Sequence, residues 1–161
     1  MKIIDIETTG LNANNSKLIV FGVKKINGDF KFYKEWEIGE REIIKQVVKE
    51  LENAKVIIGY NIERFDLPFI VERARALGLS REAEKLEELF MNKEILDVYK
   101  QVSYGSLQFW ARKLRVSLKL PNVNGAIVPI LYAKKNFEKI VMHNYDDLIA
   151  CEEVFKRVNK L

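Results

Sequence analysis

The first ten residues read Met1-Lys2-Ile3-Ile4-Asp5-Ile6-Glu7-Thr8-Thr9-Gly10. The Ile side chains of this segment predict a buried strand, because a continuous β-branched stretch suits a strand that is covered on both faces. Residues two apart on a strand point to the same side, so Asp5 and Glu7 converge on one spot. Carboxylates in a core strand carry a desolvation cost, and their oxygens can bind a hard divalent cation. Alone, the pair is more typical of a solvated strand edge or a turn.

A second acidic segment follows a second apolar strand. Val56-Ile57-Ile58-Gly59-Tyr60-Asn61 is the predicted strand, and Asp66 and Pro68 then mark the start of a helix. The strand should deliver Asn61 and Asp66 to the carboxyl end of a sheet, where ligand sites of open α/β sheets gather. Considered alone, Asp66 is better explained as a helix cap.

The third segment, residues 142–151, reads Met-His-Asn-Tyr-Asp-Asp-Leu-Ile-Ala-Cys and predicts a helix. On a helix His143 and Asp147 share a face because they are four residues apart, whereas Tyr145 points roughly opposite His143. His143 is the only histidine of the chain, and its place beside a carboxylate suits a proton acceptor next to a metal ligand. A cap or a surface pair would explain the same two residues.

Together the three segments resemble the DEDD superfamily of 3′–5′ exonucleases, which have the ribonuclease H-like fold. Asp5-Ile6-Glu7-Thr8-Thr9-Gly10 is similar to the first motif of that superfamily. Residues 59–69, Gly-Tyr-Asn-Ile-Glu-Arg-Phe-Asp-Leu-Pro-Phe, are similar to the second motif as it occurs in the proofreading domains of family B DNA polymerases. Asp147 matches the last acid. The resemblance implies one exonuclease domain over residues 1–161, with an α/β fold in which helices flank a central mixed five-stranded sheet.

The third motif departs from both standard versions of the family. One version has a Tyr four residues before the final Asp, and the other has a His five residues before it. In this chain His143 stands four residues before Asp147, so the histidine takes the spacing of the tyrosine. With this third motif, the chain most resembles the small ribonuclease H-like nucleases related to polymerase proofreading domains, with His in place of Tyr. A neutral imidazole is a better base than a phenol near neutral pH, because their ordinary pKa values are about 6.5 and about 10.

The resemblance also implies cofactors and a substrate. Two divalent cations, Mg²⁺ or Mn²⁺, would activate the attacking water and stabilise the departing 3′ oxygen. Asp5 would bridge both ions, Glu7 and Asp147 would complete the site of the water-activating ion, and Asp66 would hold the second ion mainly through water. His143 would orient or deprotonate the water. The implied partner is nucleic acid with a free 3′ end, first of all single-stranded DNA or a 3′ overhang. Residues expected near its terminal nucleotide are Thr8, Thr9, Gly10, Tyr60, Asn61 and Phe65.

Other functions of the same fold remain open at this point. A structure-selective endonuclease, such as a junction resolvase, or an RNA-processing exoribonuclease would also use a cluster of acids. A catalytically silent nucleic-acid-binding module should have lost an acid, and all four are present. The similarity of the second motif to proofreading domains favours the exonuclease. The oligomeric state and the choice between DNA and RNA stay open.

The composition agrees with a nucleic-acid enzyme. The chain has 161 residues, with 27 Lys and Arg against 23 Asp and Glu, and acids that bind metal would leave the remaining surface more basic than the formal net charge of +4. No apolar run has transmembrane length, and Met1 leads directly into the first strand, so we expect no signal peptide and no membrane partner. Cys151 is the only cysteine, which excludes an internal disulfide and fits a cytoplasmic location.

The remaining segments predict a compact α/β domain. Two strands, Leu18–Lys25 and Asp29–Glu37, flank the hairpin signal Asn27-Gly28. A short fifth strand is predicted at Glu94–Tyr99, in which Asp97 should be a structural partner. Predicted helices are Glu40–Asn53, Asp66–Leu77, Glu82–Phe90, Ser106–Leu114 and Ala126–Ile140.

Substrate contacts outside the motifs are less specific. The turn Tyr104-Gly105-Ser106-Leu107 is a candidate to border the substrate groove, and aromatic rings there could stack on a base. Phe109 and Trp110 are expected to lie in the core. A set of basic side chains could form an approach to the groove or a solvated face. These residues are Arg112, Lys113, Arg115, Lys119, Lys134 and Lys135.

Overall fold

The computed structural model describes residues 1–161 and contains a sheet of five strands, which are β1 (Lys2–Thr8), β2 (Leu18–Lys25), β3 (Phe30–Lys34), β4 (Val56–Gly59) and β5 (Glu94–Asp97). Their order in the sheet is β3-β2-β1-β4-β5. Neighbours among β1, β2 and β3 pair antiparallel, whereas β4 and β5 run parallel to β1. The predicted mixed five-stranded sheet is therefore confirmed.

Helices cover both faces of the sheet. They are α1 (Glu35–Ile38), α2 (Glu40–Glu52), α3 (Asp66–Ala76), α4 (Ser80–Asn92), α5 (Val98–Val102), α6 (Leu107–Lys113), α7 (Val128–Ala133) and α8 (Phe137–Asn159). One core contains side chains of α2, α3 and α4, and a second core contains side chains of α5, α6 and α8. None of the helices combines the length and the apolar character that a membrane span requires.

The central strand β1 divides its side chains between the two cores. Ile4 and Ile6 pack in the core of α2, α3 and α4, whereas Ile3 packs in the core of α5, α6 and α8. Since side chains two residues apart share a face, Asp5 and Glu7 lie on the same side as Ile3. The fold therefore turns both carboxylates of β1 toward the layer that contains α8.

Several predicted boundaries are wrong. The strand predicted at 29–37 ends at residue 34, and residues 35–38 form α1. The strand predicted at 94–99 ends at residue 97, where the short helix α5 begins. Four predicted helices, at 40–53, 66–77, 82–90 and 106–114, are confirmed to within two residues.

The helix predicted at 126–140 is divided. A 3₁₀ turn at Gly125–Ile127 leads into α7, and α8 starts only at Phe137. The break is a Schellman turn, in which the N–H of Asn136 bonds to the carbonyl of Leu131 and the N–H of Lys135 bonds to the carbonyl of Tyr132. Lys135 takes the left-handed conformation, with φ of 56°. Glycine usually occupies this position, so the sequence carried no stop signal here.

Candidate active site

A compact group at the end of β1 contains Glu7, His143 and Asp147. One potential ligand atom of each residue lies within 4.8 Å of the others. His143 Nε2 lies 3.5 Å from Asp147 Oδ2, in agreement with the helical spacing of four residues. The His143 side chain is only 2% exposed, whereas that of Asp147 is 17% exposed. The imidazole is therefore inside the site, and one carboxylate faces the opening.

Asp5 and Asp66 adjoin this group. Asp5 lies two residues before Glu7 on β1, and Asp66 is the first residue of α3. The Ile6 N–H donates to Asp66 Oδ1 over 3.2 Å, which ties the start of α3 to β1. Phe65, and not Asp66, occupies the N-cap position of α3. The buried Asp66 carboxylate therefore faces β1, and a simple capping role does not account for it.

The four acids concentrate negative charge in a site without a Lys or Arg partner. The pair His143–Asp147 is the only ion pair that includes any of them. Burial raises the pKa of Asp66 to about 7, and burial together with the neighbouring Asp146 and Asp66 carboxylates raises the pKa of Asp147 to about 7. Burial and neighbouring acids also hold the pKa of Asp5 and of Glu7 well above their ordinary values.

Divalent cations fit this donor set. Carboxylate oxygens are the ligands that hard cations such as Mg²⁺ and Mn²⁺ prefer. A bound cation would supply the counter-charge that the acids lack, because like charges in a buried site otherwise favour the protonated forms. The residues therefore suit a metal centre formed by Asp5, Glu7, Asp66 and Asp147 beside His143.

We expect the metal-free protein to lose stability as the pH rises from about 5 to about 8. Asp66 and Asp147 have native pKa values of about 7 against an ordinary value of 3.8, so the native state binds more protons than the unfolded state between these limits. Buried His143 has the opposite effect on stability, because burial lowers its pKa below 6.5. It is one group against the two carboxyls of Asp66 and Asp147, so the decline should dominate. Urea unfolding in EDTA measures the effect, and Mn²⁺ should restore more stability at the higher pH.

A matched variant checks the source of this pH dependence. Asp147→Asn removes one titrating carboxyl and should flatten the decline in unfolding free energy in EDTA. A metal-free protein whose stability rises steadily over the same pH range would contradict the electrostatic account.

Asn144 is a site residue that the sequence reasoning missed. Its Nδ2 donates to Asp5 Oδ2 over 2.7 Å and to Glu7 Oε1 over 3.4 Å, and the residue is fully buried. Gly22 of β2 pairs with Asp5 of β1 and leaves room for the Asn144 amide, because a Cβ at Gly22 would lie 1.8 Å from Asn144 Oδ1. A glycine inside a strand often marks such a close approach. The glycine at position 22 could therefore have indicated a close contact at this point of β2, but not that Asn144 makes it.

Two further contacts hold the surroundings of α8. Gln108 Nε2 donates to Asp147 Oδ1 over 3.3 Å and connects α6 with the site. Asp146 is buried and accepts the N–H groups of Lys119 and Leu120 at 2.9 and 2.7 Å. Asp146 is therefore a structural anchor for the segment after α6.

Tyr145 lies away from the acidic group. Its ring packs 4.6 Å from that of Phe30, and the Lys119 ammonium lies 4.2 Å from its centroid. The helix thus presents His143 to the site and Tyr145 to β3, as their spacing predicts.

Asp97 has the structural role that the sequence predicted. Its carboxylate accepts the backbone N–H groups of Asn61, Glu63 and Tyr99. These bonds fix the segment after β4, in which Asn61 takes a left-handed conformation with φ of 60°.

The loop that follows β1 contains the predicted substrate residues Thr8, Thr9 and Gly10. The Thr8 hydroxyl donates to the Gly10 carbonyl over 2.7 Å, and the Thr9 hydroxyl accepts the N–H of Lys17 over 2.8 Å. Both hydroxyls therefore stabilise the loop, which stays half-exposed at the end of the strand that contains Asp5 and Glu7.

The other predicted substrate residues do not all lie together, because Phe65 is apart from Tyr60 and Asn61. Tyr60 and Asn61 line a cavity of about 320 Å³ together with part of the predicted turn, Gly105 to Leu107. The Tyr60 hydroxyl donates to the Gly105 carbonyl over 2.6 Å. Phe65 does not line this cavity, because it is half-buried and its ring packs 5.5 Å from that of Phe69.

The prediction that Phe109 and Trp110 lie in the core is wrong for Phe109. Phe109 is 44% exposed, because α6, about two turns long, directs Leu107 and Ala111 inward instead. Trp110 is half-buried and packs against the core of α5, α6 and α8. The basic side chains singled out above are all exposed, namely Arg112, Lys113, Arg115, Lys119, Lys134 and Lys135.

Comparisons with known proteins agree with this fold. The structure of the family B DNA polymerase from the hyperthermophilic archaeon Pyrobaculum calidifontis matches with a TM-score of 0.78 and 18% identity, over 97% of this chain and 24% of that one. DNA polymerase 1 of Aeropyrum pernix is 26% identical over an alignment of 138 residues, and the match covers 76% of this chain and 14% of the polymerase. DNA polymerase 2 of the same organism is 33% identical over an alignment of 64 residues, and the match covers 38% of this chain and 8% of the polymerase.

The chain spans at most about a quarter of the length of these polymerases. A family model, described as the RNase_H superfamily, matches residues 3–159. This match and the structural likeness confirm the predicted ribonuclease H-like fold. Because the family match covers nearly all of its residues, the chain belongs to the RNase H superfamily.

Proposed function

We propose that this chain is a metal-dependent 3′–5′ exonuclease that shortens nucleic acid from a free 3′ end. The observation that carries the proposal is the convergence of four carboxylates from three distant segments beside a buried histidine. Membership of the RNase H superfamily and the likeness to DNA polymerases support a nuclease. Residues 1–161 are proposed to form one domain that acts in the cytoplasm.

The proposed cofactors are two divalent cations, Mg²⁺ or Mn²⁺. Asp5 would contribute to both sites, Glu7 and Asp147 to one, and Asp66 to the other. When bound, such ions stabilise negative charge on the attacking and leaving oxygens of a displacement at phosphorus. Asn144 keeps the carboxylates of Asp5 and Glu7 oriented through its two hydrogen bonds.

His143 is the proposed proton acceptor. Burial lowers the pKa of its imidazole, so the ring is neutral near pH 7 and can accept a proton from the attacking water. The water oxygen forms a bond to phosphorus, and the bond from phosphorus to the 3′ oxygen breaks. The products are a 5′-mononucleotide and a shortened chain, whose 3′ oxygen takes a proton from solvent.

The proposed substrate is a single strand or a 3′ overhang. The terminal nucleotide would lie between the loop after β1 and the cavity beside β4, where aromatic rings can stack on an unpaired base. This places Thr8, Thr9 and Gly10 on one side of the terminal nucleotide and Tyr60 and Asn61 on the other. Phe65, half-buried just before α3, is proposed as a further contact of the terminal nucleotide outside this cavity.

We expect a 5′-labelled single strand to be shortened stepwise in Mg²⁺ or Mn²⁺, with release of mononucleotides and no reaction in EDTA. Denaturing gel electrophoresis of matched DNA and RNA strands, compared with a closed single-stranded circle, measures direction and substrate. Efficient cutting of the circle would favour an endonuclease. Binding without hydrolysis in either metal would favour a silent module, and both outcomes would contradict the proposal.

A further inference from the structure

Tyr104, Phe109 and Trp110 form an aromatic cluster at the surface. The ring centroid of Tyr104 lies 5.9 Å from that of Phe109 and 5.1 Å from that of Trp110. Tyr104 is 51% exposed and Phe109 is 44% exposed, so two adjoining rings face solvent. Other exposed apolar side chains, such as Met91 and Ile130, lie on separate elements. A contiguous apolar patch of this kind usually marks an interaction site.

The rings of the aromatic cluster are held in place. Trp110 Nε1 donates to the Tyr104 carbonyl over 2.8 Å. The Lys113 ammonium lies 4.7 Å from the Trp110 centroid and 3.3 Å from the Tyr104 hydroxyl. A ligand that stacks on these rings would therefore lose little affinity to the ordering of side chains.

The aromatic cluster is continuous with the candidate active site. Gln108, the residue before Phe109, bonds to Asp147. Gly105 lines the cavity that also contains Asn61, and a Cβ at Gly105 would lie 2.7 Å from Phe109 Cδ1. A strand whose 3′ end lies at the acids can therefore reach the aromatic cluster past Gln108.

The charge of the chain segment that contains the aromatic cluster favours one kind of occupant. Residues 98–137 contain seven Lys or Arg residues and no Asp or Glu, although the whole chain has 23 acids. Phosphates complement such a segment, and the Lys113 ammonium is positioned to meet one beside the rings. Single-stranded nucleic acid combines phosphates with unpaired bases that stack on aromatic rings.

We propose that Tyr104, Phe109 and Lys113 form a second nucleic-acid contact, which stacks unpaired bases located 5′ of the terminal nucleotide. This inference rests on the proposed function, because it extends the path of the same strand. The aromatic cluster accounts for single-strand preference, since bases paired in a duplex cannot place their faces on these rings.

Turnover of substrates of different length tests the contact. The double variant Tyr104→Ala/Phe109→Ala should lower kcat/KM for a ten-nucleotide oligothymidylate about 5- to 20-fold more than kcat/KM for a dinucleotide, because stacking of one or two bases is lost. Met91→Ala, at an exposed position on α4, is the control and should leave both values unchanged. Equal losses on both substrates would show that the rings act only through α6 and Gln108, and would overturn the proposal.

Fluorescence provides a test that does not require turnover. In a Trp36→Phe background Trp110 is the only tryptophan, and a ten-nucleotide oligothymidylate should quench its emission. An abasic oligonucleotide of equal length carries the same phosphates without bases and should quench it much less. Equal quenching by the two oligonucleotides would show that only the phosphates bind at this surface, and would overturn the proposed base stacking.

These measurements separate the inference from the proposed function. A chain that hydrolyses the dinucleotide but shows no length effect keeps the proposed function and loses the inference. A chain that hydrolyses nothing loses the proposed function, and the Trp110 titration still tests the surface. If Phe109→Ala abolishes self-association in analytical ultracentrifugation and leaves oligonucleotide affinity unchanged, a second copy covers the rings and the proposal is wrong.

Discussion

Replacing Asp5 with Asn should lower the rate of 3′-end hydrolysis by several orders of magnitude while the protein remains folded. The Asp5 carboxylate accepts the Asn144 amide, lies two residues from Glu7 on the same side of β1, and would contribute to both cation sites. The substitution keeps the shape of the side chain but removes the shared negative charge. Single-turnover hydrolysis of a 5′-labelled single strand measures the loss.

The stability of the same variant should change in the opposite direction. Burial and the neighbouring acids raise the pKa of Asp5, so its ionisation is unfavourable in the metal-free site. Asp5→Asn removes that repulsion, and the free energy of unfolding in EDTA at about pH 8 should rise. Asp29→Asn, in the exposed hairpin turn, is the matched control and should change neither quantity. Near-normal turnover by Asp5→Asn would remove the basis for the proposed mechanism.

The sheet could be predicted because its strands carry strong local signals. β1 and β4 are short runs rich in Ile, and Asn27-Gly28 fixes the hairpin between β2 and β3. The helices α5 and α7 were missed or misplaced, since five or six residues are too few for a periodic pattern to show. The division before α8 depends on Lys135 in a left-handed conformation, which its residue type does not indicate.

The candidate site was predictable only where one segment carries a recognisable pattern. Asp5 and Glu7 share a side because of strand geometry, and His143 and Asp147 share a face because of helix geometry. The contact of Asn144 with Asp5 depends on how α8 packs over β2, and no local pattern contains that information. The exposure of Phe109 likewise follows from the placement of α6 against α8.

The geometry is compatible with two roles for His143, as a metal ligand or as a base. His143 lies with Glu7 and Asp147 in a group compact enough to hold an ion, so its imidazole could be a metal ligand. It is also buried, and burial lowers its pKa, which keeps a neutral base beside the water that an ion would activate. A ligand and a base differ in what their removal does to metal affinity.

We expect His143→Ala to lower the single-turnover rate by about 10²- to 10⁴-fold, the range for loss of general acid–base catalysis. The Mn²⁺ concentration that gives half the maximal rate should change much less, because all four carboxylates remain. Tyr145→Phe is the matched control and should be nearly silent, since that ring packs against Phe30 outside the site. A large rise in the Mn²⁺ requirement of His143→Ala would identify a ligand. An active His143→Ala with an inactive Tyr145→Phe would instead assign the proton transfer to the phenol.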